Sequence, residues 1–257
     1  FHLLAGQLAD FEKHAVDLPS VAHVPLADAL IEFLPSKAAK FVKNSQEAWA
    51  RLVQIQLMAQ SNTDGAYREA ERLLAWCKDH VVDQGPEWAG QFALAEVAYL
   101  GAVGRSSEAV DRLWETLDQI AGSTADDTLL NARLRIALGR ALIDDGHIGA
   151  ARKEIGHLLR TARKRQLPSI RALASILQSR AVLAGGDELV ANGFIEEAGR
   201  VLPSDPPSIP HARLVLVRAF QALVSGNPDE AERILDHAEQ NPALTEFLNI
   251  RDLRRAN

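Results

Sequence analysis

Cysteine is almost missing from this 257-residue chain: Cys77 stands alone. No intramolecular disulfide can form, and a reducing compartment, the cytoplasm, is expected. Aromatic residues are only 5% of the chain, and positive charge is in deficit: 28 Lys and Arg less 34 Asp and Glu leave −6. That balance does not suit a protein that coats nucleic acid or an anionic membrane surface. No apolar run approaches the roughly 18–20 residues needed to span a bilayer. The opening FHLLAGQLADFEKHAV carries Asp10, Glu12 and Lys13 where a signal peptide would hold a clean apolar core. The first residue is Phe1 rather than Met, so a piece of a longer polypeptide is expected.

Catalytic signatures are equally scarce. The eight histidines, His2, His14, His23, His80, His147, His157, His211 and His237, include no pair three or four apart on one helix face, so no metal is expected. There is no G-x-x-x-x-G-K-S/T loop, and Gly185-Gly186 falls in a turn between helices, without the strand-to-helix setting of a dinucleotide site. No G-x-S-x-G nucleophile motif appears, and Asp144-Asp145 lie at a helix end, where solvation explains them. The chain is therefore expected to be no enzyme and to need no cofactor.

What the sequence does have is a repeat. Residues 134–158, LRIALGRALIDDGHIGAARKEIGHL, place two apolar helical stripes on either side of the turn Asp145-Gly146-His147. Taking Gly146, Ala151, Ile155 and Leu158 as the template, the same offsets give Gly65, Ala70, Leu74, Cys77 and Gly104, Ala109, Leu113, Thr116. Downstream they give Gly186, Ala191, Ile195, Ala198 and Gly226, Ala231, Leu235, Ala238. Glycine is 16 of 257 residues, so its recurrence at five equivalent places is not a matter of composition.

Each residue type has a physical task. Glycine reverses the chain because it takes a left-handed backbone without steric cost. The alanine lets the second helix approach the first closely, and the aliphatic four residues later lies on the same face. Cys77 occupies a small packing position and reads as a buried apolar thiol. One hairpin cannot cover its own stripe but stacked neighbours can, so the fold expected is all-α, a right-handed superhelix of antiparallel hairpins with a concave wall lined by first helices.

In chain order, residues 1–44 read as an irregular helical segment or cap, broken around Pro19 to Pro25 and at Pro35-Ser36, and residues 45–257 as the solenoid. Ser45 marks the first repeat, with helices near 45–61 and 66–82, followed by pairs near 87–102 and 106–121 and near 127–144 and 148–165. Asp126 or Asp127 is the expected N-cap of the third pair. Further pairs lie near 169–184 and 188–201, then 211–224 and 228–240, across the rigid connection LPSDPPSIP. Asn241-Pro242 introduces a final capping helix through Arg255.

Projecting the first helices by register puts Ala59 and Leu52, Ala98 and Gln91, Arg140 and Arg133, Arg180 and Leu173, and Phe220 and Arg213 on the concave face. Four arginines gather in the last three repeats. They suit either an anionic ligand held by charge-assisted bonds or a set of struts paired with Asp or Glu on neighbouring helices. The tryptophans Trp49, Trp76, Trp88 and Trp114 read as packing residues between helices. The basic run Arg160, Arg163, Lys164, Arg165 fits the carbonyl end of a helix.

The pattern Leu138-Gly139-x-x-Leu142, Ala151-x-x-x-Ile155, then Pro168 resembles tetratricopeptide repeats, lengthened from the usual 34 residues to steps of about 40. Such arrays look like the sensor domain of MalT-type large ATP-binding LuxR-family (STAND) transcription regulators. The resemblance covers roughly residues 45–257. It implies a non-enzymatic sensing or interaction domain of a cytoplasmic bacterial transcription regulator. An effector or protein partner would bind on the concave face at Gln91, Arg133, Arg140, Arg180, Arg213 and Phe220, with no nucleic acid or membrane contact. The other reading is a tetratricopeptide scaffold or chaperone that docks a peptide or helix of a protein partner.

Overall fold

The computed structural model describes residues 40–60, 64–81, 85–123, 129–202 and 209–240, and all regular structure among them is helical. The elements are α1 (Lys40–Gln60), α2 (Asp64–Val81), α3 (Pro86–Ala102), α4 (Ser106–Ile120), α5 (Leu129–Asp144), α6 (Ile148–Lys164), α7 (Pro168–Leu183), α8 (Glu188–Val201), α9 (Ile209–Val224) and α10 (Pro228–Glu239). Expectations for residues 1–39, for a cap at Asp126 or Asp127 and for a helix beyond Asn241-Pro242 lie outside the described residues. No helix among the described residues is long and apolar enough to cross a membrane.

Four of the hairpin turns are copies of one another. Gly104, Gly146, Gly186 and Gly226 all have left-handed backbones, with φ between 72° and 81°. The residue after each glycine donates its N–H to a carbonyl five positions back: Arg105 to Leu100, His147 to Leu142, Asp187 to Val182 and Asn227 to Ala222. This is the arrangement that satisfies orphan carbonyls at a helix end, and it needs a residue without Cβ strain at its corner. Asp187 and Asn227 then cap the next helix by accepting from Val190 and Glu230, and proline opens α3, α7 and α10, where no N–H is missed.

Gly65 departs from the expectation. It lies inside α2, near its start, without a positive φ. Relative to the shared register α2 begins about one turn early, at a place where backbone N–H groups have no intrahelical acceptor and glycine is tolerated. Likewise α1 is already helical at Lys40, so Ser45 sits within the helix; the run Lys40-Phe-Val-Lys-Asn44 contains no breaker that would make a start at Ser45 necessary.

The small-residue positions of the template hold, while of the aliphatic positions Leu113, Ile155 and Ile195 are buried and Leu74 and Leu235 half-buried. Ala70, Ala109, Ala151, Ala191 and Ala231 are all buried, as are Cys77, Thr116, Leu158, Ala198 and Ala238. First helices are nearly apolar throughout, as in α3, PEWAGQFALAEVAYLGA. Second helices such as α4, SSEAVDRLWETLDQI, carry one buried and one charged face. That difference follows from position: a first helix is flanked by its own partner and by other first helices, whereas a second helix keeps one side in water.

The chain forms two compact units that divide between Arg165 and Gln166. The described part of the first holds α1–α6, in which α1 packs on α2 and α3, α3 on α4 and α5, and α5 on α6. Gly90 marks a close approach of α3 to α5: a Cβ there would stand 2.7 Å from Leu130 Cδ2. The second unit holds α7–α10, with α7 packed on α8 and α9, and α9 on α10. Its core gathers Ala172, Ile176, Val182, Ile195, Leu214 and Val217.

Candidate functional site

The projected binding residues divide between the units. Gln91, Arg133 and Arg140 stand on α3 and α5 of the first, and Arg180, Arg213 and Phe220 on α7 and α9 of the second. Gln91, Arg133, Arg180 and Arg213 are half-buried, whereas Arg140 and Phe220 are exposed. Arg140 reaches Asp144, one turn along its own helix, at 3.6 Å. Two residues projected onto the same wall do not belong there, because Leu52 and Leu173 are buried core. In α7 the reason is plain: Ala172 to Ser179 is buried without interruption, so this helix has no free stripe at that level.

Cross-helix struts exist, but other arginines make several of them. Arg112 of α4 donates to Glu96 of α3 at 2.6 Å. Arg135 of α5 reaches Glu154 of α6 at 3.1 Å and Asn131 at 2.9 Å. Arg171 of α7 donates to the buried Glu197 of α8 at 2.7 Å. In the first hairpin the guanidinium of Arg51 lies 4.2 Å from the centre of the Trp76 ring, which also stacks on the imidazole of His80. Trp76 and Trp88 pack against the core of α1–α3, as expected of packing residues, while Trp114 is exposed.

The feature the sequence reading missed is the seam where the start of a second helix meets the end of the next first helix. In two repeats side chains stitch it shut. Ser107, third after its glycine, donates to Asp145, the residue before the next, at 2.7 Å. Ser225 donates to Glu188 at 2.7 Å, and Gln221 to Asn192 at 2.9 Å.

The seam of α2 and α3 is different. Its corresponding positions carry Tyr67, Arg68 and Glu71 on α2 and Tyr99 on α3, and a cleft of about 410 Å³ opens between them. Both tyrosines of the chain line it. Tyr67 and Glu71 are one turn apart on α2, so they share a face, and Arg68 lies beside them.

Arg105, where α4 begins, forks its guanidinium onto Glu108. That hydrogen bond holds the Glu108 carboxyl below the usual carboxylate range, and Glu108 first, then Tyr99 and Glu71, favour the charged form of Arg105. Arg68 and Glu71, both exposed, bring one charge of each sign to the cleft itself. Among the described residues no group of three or more His, Cys, Asp and Glu side chains is placed to hold a metal ion.

A register comparison would have found this seam. The second, third and sixth residues after one glycine meet the fifth and first before the next, and only in the first seam do those places hold large amphipathic rings.

Comparison with known proteins adds the fold and stops there. The crystal structure of BtubC (BKLC) from P. vanneervenii is similar over 93% of this chain and 92% of that one, with a TM-score of 0.61 and 13% identity. That likeness is one of fold. The crystal structure of NprR in complex with its cognate peptide NprX matches over 98% of this chain and 83% of that one, with a TM-score of 0.40 and 11% identity. No protein-family model and no curated protein matches the chain.

Proposed function

We propose that the chain is a non-enzymatic recognition domain that docks a segment of a protein partner, with the α2–α3 cleft as its primary contact. The observation that carries this reading is the open seam. Where two other repeats close the same junction by side-chain hydrogen bonds, this one holds two tyrosines, an arginine and a glutamate around a concavity. Tyrosine and arginine are the side chains that dominate binding energy at interfaces, since they offer large contact area with a polar tip. A concave site with a few converging polar groups is the usual form of a recognition site.

The resemblance to the sensor region of large ATP-binding LuxR-family regulators gives this docking a use. The bound partner or effector would act on an ATP-driven module elsewhere on the polypeptide, in a cytoplasmic transcription regulator. The scaffold reading needs the same cleft and differs only in what the docked segment belongs to.

The test is a peptide-library selection against the chain, followed by blockage of the cleft. In Glu71→Cys the new thiol is exposed while Cys77 is buried, so a bulky maleimide reaches the cleft alone. Selected peptides are expected to lose at least about ten-fold in affinity on modification, or about 1.4 kcal/mol. Selected peptides that bind the blocked protein as well as the free one would contradict the proposal.

A further inference from the structure

We infer that residues 242–253, PALTEFLNIRDL, cover the apolar stripe Leu216, Phe220 and Leu223 of α9, taking the seat of a next first helix and closing the last hairpin. This seat and the α2–α3 cleft stand or fall separately. The stripe is defined by the repeat. Ten and three residues before its turn glycine, α7 carries Ile176 and Leu183, which are 2% and 3% exposed and share a core with Leu214 and Val217 of α9. At the same two positions α9 carries Leu216, half-buried, and Leu223, 43% exposed, with Phe220 between them at 45%. Steps of four and three residues put all three on one face. Among the described residues α9 packs on α7, α8 and α10, and none of them closes that face. The last first helix therefore carries the stacking residues of α7 but leaves them open, and contiguous apolar surface of this kind marks a contact.

The segment after α10 fits the seat by spacing and by reach. Pro242 stands three residues after Glu239, the last of α10, much as Pro168 stands four after Lys164, the last of α6, and opens α7. Phe247, Ile250 and Leu253 recur at steps of three, so in a helix they share one side. Phe247 to Leu253 would then span about 9 Å, against about 10 Å from Leu216 to Leu223. A first helix runs antiparallel to the second helix before it, so a chain turning at Pro242 travels back along α10 and beside α9 in the same direction. Phe220, projected from the sequence as a binding residue, is then a packing residue.

The test is thiol labelling of the full chain. Leu223→Cys places a thiol in the stripe, Leu189→Cys supplies a reference at a side chain 86% exposed, and buried Cys77 reports any loss of fold. The Leu223→Cys thiol is expected to react with maleimide at least about ten-fold more slowly than the Leu189→Cys thiol, and adding Phe247→Asp with Ile250→Asp should bring the two rates together. If Cys77 becomes reactive in that variant, Phe247→Ala with Ile250→Ala is read instead, with acceleration of at least about three-fold expected.

A Leu223→Cys thiol as reactive as the reference overturns the proposal. So does slow labelling that neither pair of substitutions accelerates. Slow labelling that disappears on dilution also overturns it, and gives the seat to a second copy of the chain.

Discussion

At the scale of single residues, one sequence position in the repeat has two structural meanings. Gly146 takes a left-handed backbone, φ 79°, with open space where a Cβ would stand, whereas Gly65, at the same register position, is an ordinary helical residue also in open space. Substitution by alanine should therefore have opposite signs. Gly146→Ala should destabilise by about 1 kcal/mol through backbone strain alone. Gly65→Ala should stabilise by about 0.5–1 kcal/mol through helix propensity. Urea denaturation of the two variants checks both, and a loss of stability in Gly65→Ala would restore it to the corner that the sequence assigned to it. The sequence could not separate the two glycines, because residue type and spacing are identical and only the place where the following helix starts differs. Gly90 is the converse case: its need for glycine comes from Leu130 on another helix, which no local pattern announces.

At the scale of elements, the register of small residues was legible because steric exclusion acts at short range within a hairpin. Five alanines at one offset are five buried alanines. The struts were not legible in the same way. The sequence considered arginine struts at Arg133, Arg140, Arg180 and Arg213, and the structure shows further ones at Arg112, Arg135 and Arg171, which make cross-helix pairs with Glu96, Glu154 and Glu197. Those pairs join residues 16, 19 and 26 apart, and the first carries its arginine on the second helix while the other two carry it on the first, so no fixed offset reveals them.

The Arg171–Glu197 pair is the one to test, because Glu197 is only 7% exposed. Arg171→Ala removes the Arg171 hydrogen bond from that carboxylate and is expected to cost about 2 kcal/mol, whereas Arg171→Met combined with Glu197→Leu should recover most of the loss. Denaturation midpoints of the single and double variants decide it. A neutral Arg171→Ala would mean that the Glu197 carboxylate is hydrated rather than held by Arg171.

At the scale of the whole molecule, the helical-repeat fold was readable from periodicity, and its likeness to another helical structure at 13% identity illustrates how little sequence such an architecture requires. The cleft proposed as the docking site was less readable. Projection of first helices named six residues, of which Phe220 lies with Leu223 and Val224 in an exposed apolar stripe near the end of α9. The cleft instead lies on the seam between repeats, where Tyr67 and Tyr99 are brought together by packing of α2 on α3 and not by any spacing within one helix. Places where neighbouring repeats fail to close on each other appear only when the units are laid side by side.

Hydrogen exchange of the chain with and without a library-selected peptide measures the central claim most directly. Amides at the start of α2, around Tyr67–Glu71, and at the end of α3, around Tyr99, should exchange more slowly in the complex, by at least about ten-fold. The stitched seams at Ser107–Asp145 and Glu188–Ser225 should be unchanged. Protection centred on Arg133–Arg140 of α5, with none at the α2–α3 seam, would contradict the account and return the binding surface to the face first projected from the sequence.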